Sequence, residues 1–206
     1  MFIKLLPDNE KLLLLNLARL LAISDKPLLW DGKTKDELTS DSDLSALSIQ
    51  QGALEKELLS ELEQSVKTSQ LPTMSLSAAI GAPAAALINA STAFRGSSIE
   101  NKLTEKLKAF PLTRIDAAES RVQAATAVLK TLLKEKQADD PIIPKVILLQ
   151  LILIALRDGN ISNIEWSLLK EIQLHYQLQD FIFKDLLERA EALNSEISKT
   201  IALVLE

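Results

Sequence analysis

The chain predicts an all-α fold, a helical bundle of about seven to nine helices built around two central apolar helices. Three observations carry that expectation. The composition is 47% hydrophobic with only 5 Gly, and it is dominated by Leu, Ala, Glu and Lys, which favour helices. Apolar residues recur at three- and four-residue spacing through several segments, which is the period of one helix face. From Val146 to Leu156 the sole polar residue is Gln150. A helix apolar on every side belongs inside a protein.

The 206 residues read as a single helical domain, long enough to bury roughly 70% of the unfolded surface. Residues 1–70 form an N-terminal helical half and 98–206 a C-terminal half. Between them, 71–97 is rich in Ala, Ser and Gly and interrupted by Pro72 and Pro83. It reads either as a linker or as a close-packed segment.

The first helix is predicted from Asp8, as N-cap, to about Ser24, with Asn16 and Arg19 as its narrow polar stripe. Pro27 and Gly32 mark a loop. Thr34 and Glu37 form a capping-box pattern. Ser48 to Gln51 is a second such start, expected to open a helix to about Lys67. A further helix carries Ile99, Leu103, Leu107 and Phe110 on one face and ends at Pro111. Thr113 is expected to cap a long helix to about Lys136. Its seam of Ile115, Ala118, Val122, Ala125, Leu129 and Leu132 fits an internal bundle contact better than a coiled-coil dimer. After a charged linker over 134–144, the apolar helix begins near Lys145. Helices near Asn163–Tyr176, Gln179–Leu193 and Ser195–Leu205 follow. No segment reads as a strand.

The first helix and the apolar helix echo one another. One sliding offset places Leu13 on Val146, Leu20 on Leu153, Ala22 on Ala155 and Asp25 on Asp158. Thr34 and Glu37 then echo Ser162 and Glu165, and Trp30 echoes Trp166. Two such hairpins would bury both apolar helices by packing them together.

Several chemistries are excluded by composition. Net charge is −5 and basic residues form no cluster, so the electrostatic footprint of nucleic-acid binding is absent. There is no cysteine, hence no disulfide framework or thiolate metal site, which fits a cytoplasmic protein. The 5 glycines form no phosphate-binding loop, and 1 histidine, His175, cannot supply a multi-His centre. Beside Tyr176 at a helix end, it reads as a dipole partner or surface residue. Polar residues interrupt the N-terminal Leu run, which reads as a mature helix rather than a signal segment. No apolar run reaches about 18 residues, so no spanning helix is expected.

The chemistry concentrates at the turn after the apolar helix. Asp158 to Glu165 matches the back half of an EF-hand loop, but Ile154 and Leu156 stand where the front half needs oxygen ligands, so a full EF-hand is rejected. A looser oxygen-ligand site for a divalent cation of Ca or Mg type remains, offered by Asp158, Asn160 and Glu165. Asp25, Asp31 and Glu37 would complete the shell if the two hairpins pack side by side. The same residues also make an ordinary turn. Gly159 suits a left-handed C-cap, and Ser162 with Glu165 makes a capping box. On residue chemistry alone the caps outweigh the site.

The pattern of an apolar helix ending in Ala155, Asp158, Gly159, Ile161 and Ser162, then Glu165 with Leu168 and Leu169, resembles the TerB-like domain of tellurite-resistance proteins. Leu178 to Ala190 continues the resemblance. Residues 8–38 look like a degraded copy of the same unit, with Lys26 in place of the glycine. The resemblance implies an all-helical fold, an acidic surface holding a divalent cation, and a bacterial stress-response role exercised through a protein partner rather than by catalysis. It does not cover about 44–137. A rival reading makes the protein membrane-surface-associated or lipid-responsive through 75–94, without spanning a bilayer. The oligomeric state is left open.

Overall fold

The computed structural model describes residues 2–50, 52, 57, 59–64, 99–134 and 140–205, excepting the side chains of Phe2 and Asp158. The segment 71–97, and with it the membrane-surface reading, lies outside these residues. So do most of the start and the end of the helix expected over 48–67.

The described chain is all-α apart from one small sheet. A 3-10 turn, Phe2–Leu5, precedes α1 (Asp8–Ser24). Two three-residue strands follow, β1 (Leu28–Trp30) and β2 (Leu47–Ile49). Residues 59–64 are helical. Then come α2 (Ile99–Leu107), α3 (Ala118–Leu133), α4 (Ile142–Ala155), α5 (Asn163–His175) and α6 (Asp180–Leu205).

Helix α1 sits at the centre. It packs on α2, α3, α4 and α5. Its Leu14, Leu15, Leu17, Ala18, Leu20 and Leu21 are buried, which leaves Asn16 and Arg19 at the edge as expected. Arg19 pairs there with Glu63. Helix α4 packs on α1, α5 and α6, and its Ile147, Leu148, Leu151 and Ile152 reach 0% exposure. The two apolar helices therefore do shield one another, the arrangement their matching sequences predict. One hydrophobic cluster runs from Ile3 to Ala190 through all of these helices.

Four expectations need correction. Ser48 does not start a helix, because Leu28↔Ile49, Leu29↔Ser48 and Trp30↔Leu47 pair as an antiparallel ladder. Strands of three residues are too short to show a period. Their inward residues Leu28, Trp30, Leu47 and Ile49 are nevertheless buried. Asp8 does not cap α1: Pro7 is the N-cap, without a side-chain bond, and Asp8 pairs with Lys11 at 2.9 Å. Thr113 does not cap the long helix. That helix begins at Ala118 behind a run of turns closed by Arg114 N–Pro111 O and Ala117 N–Arg114 O bonds. Its buried face is Arg121, Ala125, Leu129 and Leu133 with Ala124 and Val128, one step round from the expected seam, and it packs internally on α1, α2 and α5. Finally, the helices expected over 179–193 and 195–205 are one, α6, with no break at Asn194.

Candidate functional site

The α4–α5 turn forms as its residues dictate. Helix α4 tightens into a 3-10 turn, Leu156–Asp158, and Gly159 follows at φ 91°. A side chain rarely adopts that backbone angle, which is why glycine stands there. The Gly159 N–H donates to Leu156 O at 2.9 Å. Ser162 is the N-cap of α5. Its Oγ accepts from Glu165 N at 3.2 Å, and Glu165 Oε2 accepts from Ser162 N at 2.8 Å. The capping box is thus complete, and it fixes the Glu165 carboxylate at the corner.

The matching corner at the end of α1 is held differently. Ser24 is buried, and its Oγ donates back to Leu21 O at 2.9 Å. Arg121 reaches across from α3, Nε donating to Ser24 O at 3.1 Å and Nη2 to Lys26 O. Arg121 as a whole is 7% exposed. It satisfies carbonyls that the helix end leaves without intrahelical donors. Burial lowers its pKa from the usual arginine value, while Asp116 and Asp25 oppose the shift. Sequence reasoning passed over Arg121. The clue was its place four residues before Ala125 on the face that packs inward.

Of the six expected cation ligands, Asp25 and Glu165 come together. Glu165 is 8% exposed. Burial raises its pKa above the ordinary value, the Ser162 bonds pull it back, and the nearby Asp25 charge raises it further. Asp25 is half-buried. Its Oδ1 has no hydrogen-bond partner, although the Lys26 ammonium lies 3.9 Å away. Asp158 closes the 3-10 turn with its backbone, and its side chain lies outside the described residues.

The other three stand apart from that pair. Asn160 is exposed and lines a cleft on the α6 side of the turn. Asp31 is exposed at φ 52° in a tight turn with Gly32, closed by Trp30 N–Lys33 O and Lys33 N–Trp30 O bonds. Glu37 is exposed and accepts from Thr34 N and Oγ1, each at 2.8 Å. Among the described residues no group of three or more His, Cys, Asp or Glu side chains gathers as a metal cluster.

The cleft holds about 410 Å³ and is walled by Leu156, Ile161, Trp166 and Leu187, with Glu191 and Asn194 at its polar edge. Trp166 meets Phe183 edge-to-face at 5.4 Å, and Lys170 lies 4.1 Å over the Phe183 ring. Asn194 Nδ2 donates to Leu156 O at 3.1 Å and ties α6 to the turn. His175 is the last residue of α5, exposed, and edge-to-face with Tyr176. Burial, and then Glu10, push the Tyr176 hydroxyl up to about 12.

The raised Glu165 pKa fixes the sign of one pH effect. Native Glu165 holds its proton to a higher pH than the unfolded residue, so its contribution is fully present below the ordinary value of 4.5. It is lost as pH rises through the raised native pKa. Glu165→Gln should therefore flatten the stability profile across that window. Parallel urea titrations of both proteins between about pH 4 and 7 test this. An unchanged slope in the variant would assign the pH dependence to another group.

No family model, curated protein or solved structure matches the chain. Among the described residues, no helix is long and apolar enough to cross a membrane.

Proposed function

We propose that the protein is a non-enzymatic interaction module of the TerB-like, stress-response kind, with a divalent cation tuning the corner where α1 ends and α5 begins. The observation that carries this reading is the Asp25–Glu165 pair. Two carboxylates from separate hairpins repel each other across a largely buried corner. One oxygen of the pair, Asp25 Oδ1, is buried without a hydrogen-bond donor. A hard cation relieves both costs at once, since it takes carboxylate oxygens and cancels their repulsion. Lys26 competes for the same place. Its flexible stem lets the ammonium withdraw to solvent when a cation enters. Arg121 is fixed by its two carbonyl bonds and stays. The complete capping box at Ser162 and the rigid core behind both corners keep the pair in register.

Thermal melts of the full chain with Ca²⁺, Mg²⁺, Mn²⁺ and Zn²⁺ test the cation directly. At a concentration ~100-fold above Kd the expected gain is about 2.7 kcal/mol. For a chain of this length that is roughly 5–10 °C. Asp25→Asn and Glu165→Gln should each abolish most of the gain. A flat wild-type response to all four ions removes the cation from the reading. An equal response in both variants places the ion elsewhere.

A further inference from the structure

Helix α6 outruns the body it packs on. An apolar stripe follows one face along its length, at 183, 186, 187, 190, 193, 197, 201 and 204, while Phe181 and Leu203 stand on the opposite side. In the first half that face is covered: Phe183 and Ala190 are buried, and Leu186 and Leu187 pack against the core. Asn194, bonded to Leu156 O, is its last hydrogen bond to the body among the described residues. From Leu193 onward the same face is bare, with Leu193 42%, Ile197 48%, Ile201 54%, Val204 77% and Leu205 80% exposed. A helix end with no core contact has no intrinsic reason to keep an apolar stripe in phase.

We propose that this face is the contact between two copies of the chain. The helices would run antiparallel across a two-fold axis between Ile197 and Ile201, so that Val204 and Leu205 meet the other copy near Asn194 and Leu193. Each copy then lays Val204 and Leu205 toward the other's cleft, which Asn194 lines with Leu187, Ile161 and Trp166.

Three observations favour a second copy over another partner. The first is area. Taking about 200 Å² for a fully exposed aliphatic side chain, the stripe offers roughly 600 Å² per copy, against ~800 Å² per partner in a standard interface. The cleft, with Trp166 38% exposed, adds the remainder. The second is charge. Between 195 and 205 the sole charged residues are Glu196 and Lys199, and they pair with each other at 2.7 Å. Over 195–205 the helix therefore carries no net charge, so this stretch of the face neither repels its own copy nor calls for a charged ligand. The third is continuity. Leu187 belongs to both stripe and cleft, and Asn194 and Ser195 carry the cleft lining to the start of the bare part, so the two adjoin, and a two-fold contact uses both halves twice. The contact does not depend on the cation at Asp25.

Sedimentation equilibrium of the full chain from low to high micromolar concentration tests the proposal. The expected result is a monomer–dimer equilibrium, with Trp166 emission shifting to shorter wavelength as the dimer fills. Trp30 is 1% exposed, so its emission stays constant. The double variant Ile197→Glu, Ile201→Glu changes two exposed positions. It should weaken association at least tenfold while leaving helix content and the dilute-solution melting temperature unchanged. A chain that stays monomeric throughout overturns the proposal. So does a dimer that the double variant leaves intact, since it uses another surface. A monomer that the double variant destabilises points to an intramolecular cover and overturns it as well.

Discussion

Replacing Arg121 by alanine should destabilise the protein by about 3–5 kcal/mol, more than any other single surface-to-core change at the two corners. Arg121 sits on α3 yet bonds two carbonyls at the end of α1. Its removal leaves the buried Ser24 carbonyl and the Lys26 carbonyl without their donor. It also leaves Asp25 facing Glu165 with one nearby cation fewer. The loss corresponds to a fall in melting temperature of roughly 10–15 °C. Arg121→Lys should recover less than half, because a point-like ammonium cannot reach two carbonyls in the fixed fork of a guanidinium. The pair of variants separates geometry from charge. If lysine restores full stability, the corner needs only a positive charge, and the carbonyl bonds contribute little.

Leu148→Ala should cost about 3–4 kcal/mol, with a melting temperature lower by roughly 10 °C. Leu148 has 0% exposure on the helix that packs against α1, α5 and α6 at once. A cavity there has rigid apolar walls on several sides and little room to collapse, which places the cost in the upper part of the usual range. Leu174→Ala is the control, because Leu174 is 67% exposed and its truncation should change stability by less than ~0.5 kcal/mol. Equal costs at both positions would mean that Leu148 does not lie in the packed core beside α1.

Both predictions rest on the pairing of α1 and α4, which was legible without coordinates. Gln150 alone interrupts the apolar run of α4 from Val146 onward, and a helix segment of that kind can satisfy itself only by being surrounded. The turn after it was equally legible. Gly159, Ser162 and Glu165 act within a few residues of one another, so their spacing already specifies the left-handed cap and the capping box. The Asp31-Gly32 turn was available in the same way, since that dipeptide favours the tight hairpin turn observed. The flanking pattern hides it, because β1 is three residues long and the turn closes only the single Trp30↔Lys33 bridge, while β1's ladder partner lies further along at 47–49.

The candidate site was legible in part. The chemistry of its own turn points to Glu165 and the echo between the two hairpins points to Asp25, and the packing of α1 and α4 brings their ends together. Asp31 and Glu37 were named by the same logic, but the longer first loop places them on β1's turn and on a separate 3-10 turn. Arg121 escaped because its partners are backbone carbonyls nearly a hundred positions away in the chain, a relation that leaves no local pattern.

By itself, then, the order of residues determined the helices, the inward faces of α1 and α4, and the chemistry of the turn between α4 and α5. Each depends on interactions within about one or two helical turns, where side-chain type and spacing are sufficient. Only the folded molecule decided which corner meets which, that Arg121 ties off α1, and that α6 continues unbroken past Asn194 with its apolar face bare. Those outcomes depend on where separate elements stop against one another. That is set by the competition of all the faces for one shared core, and no single segment contains it.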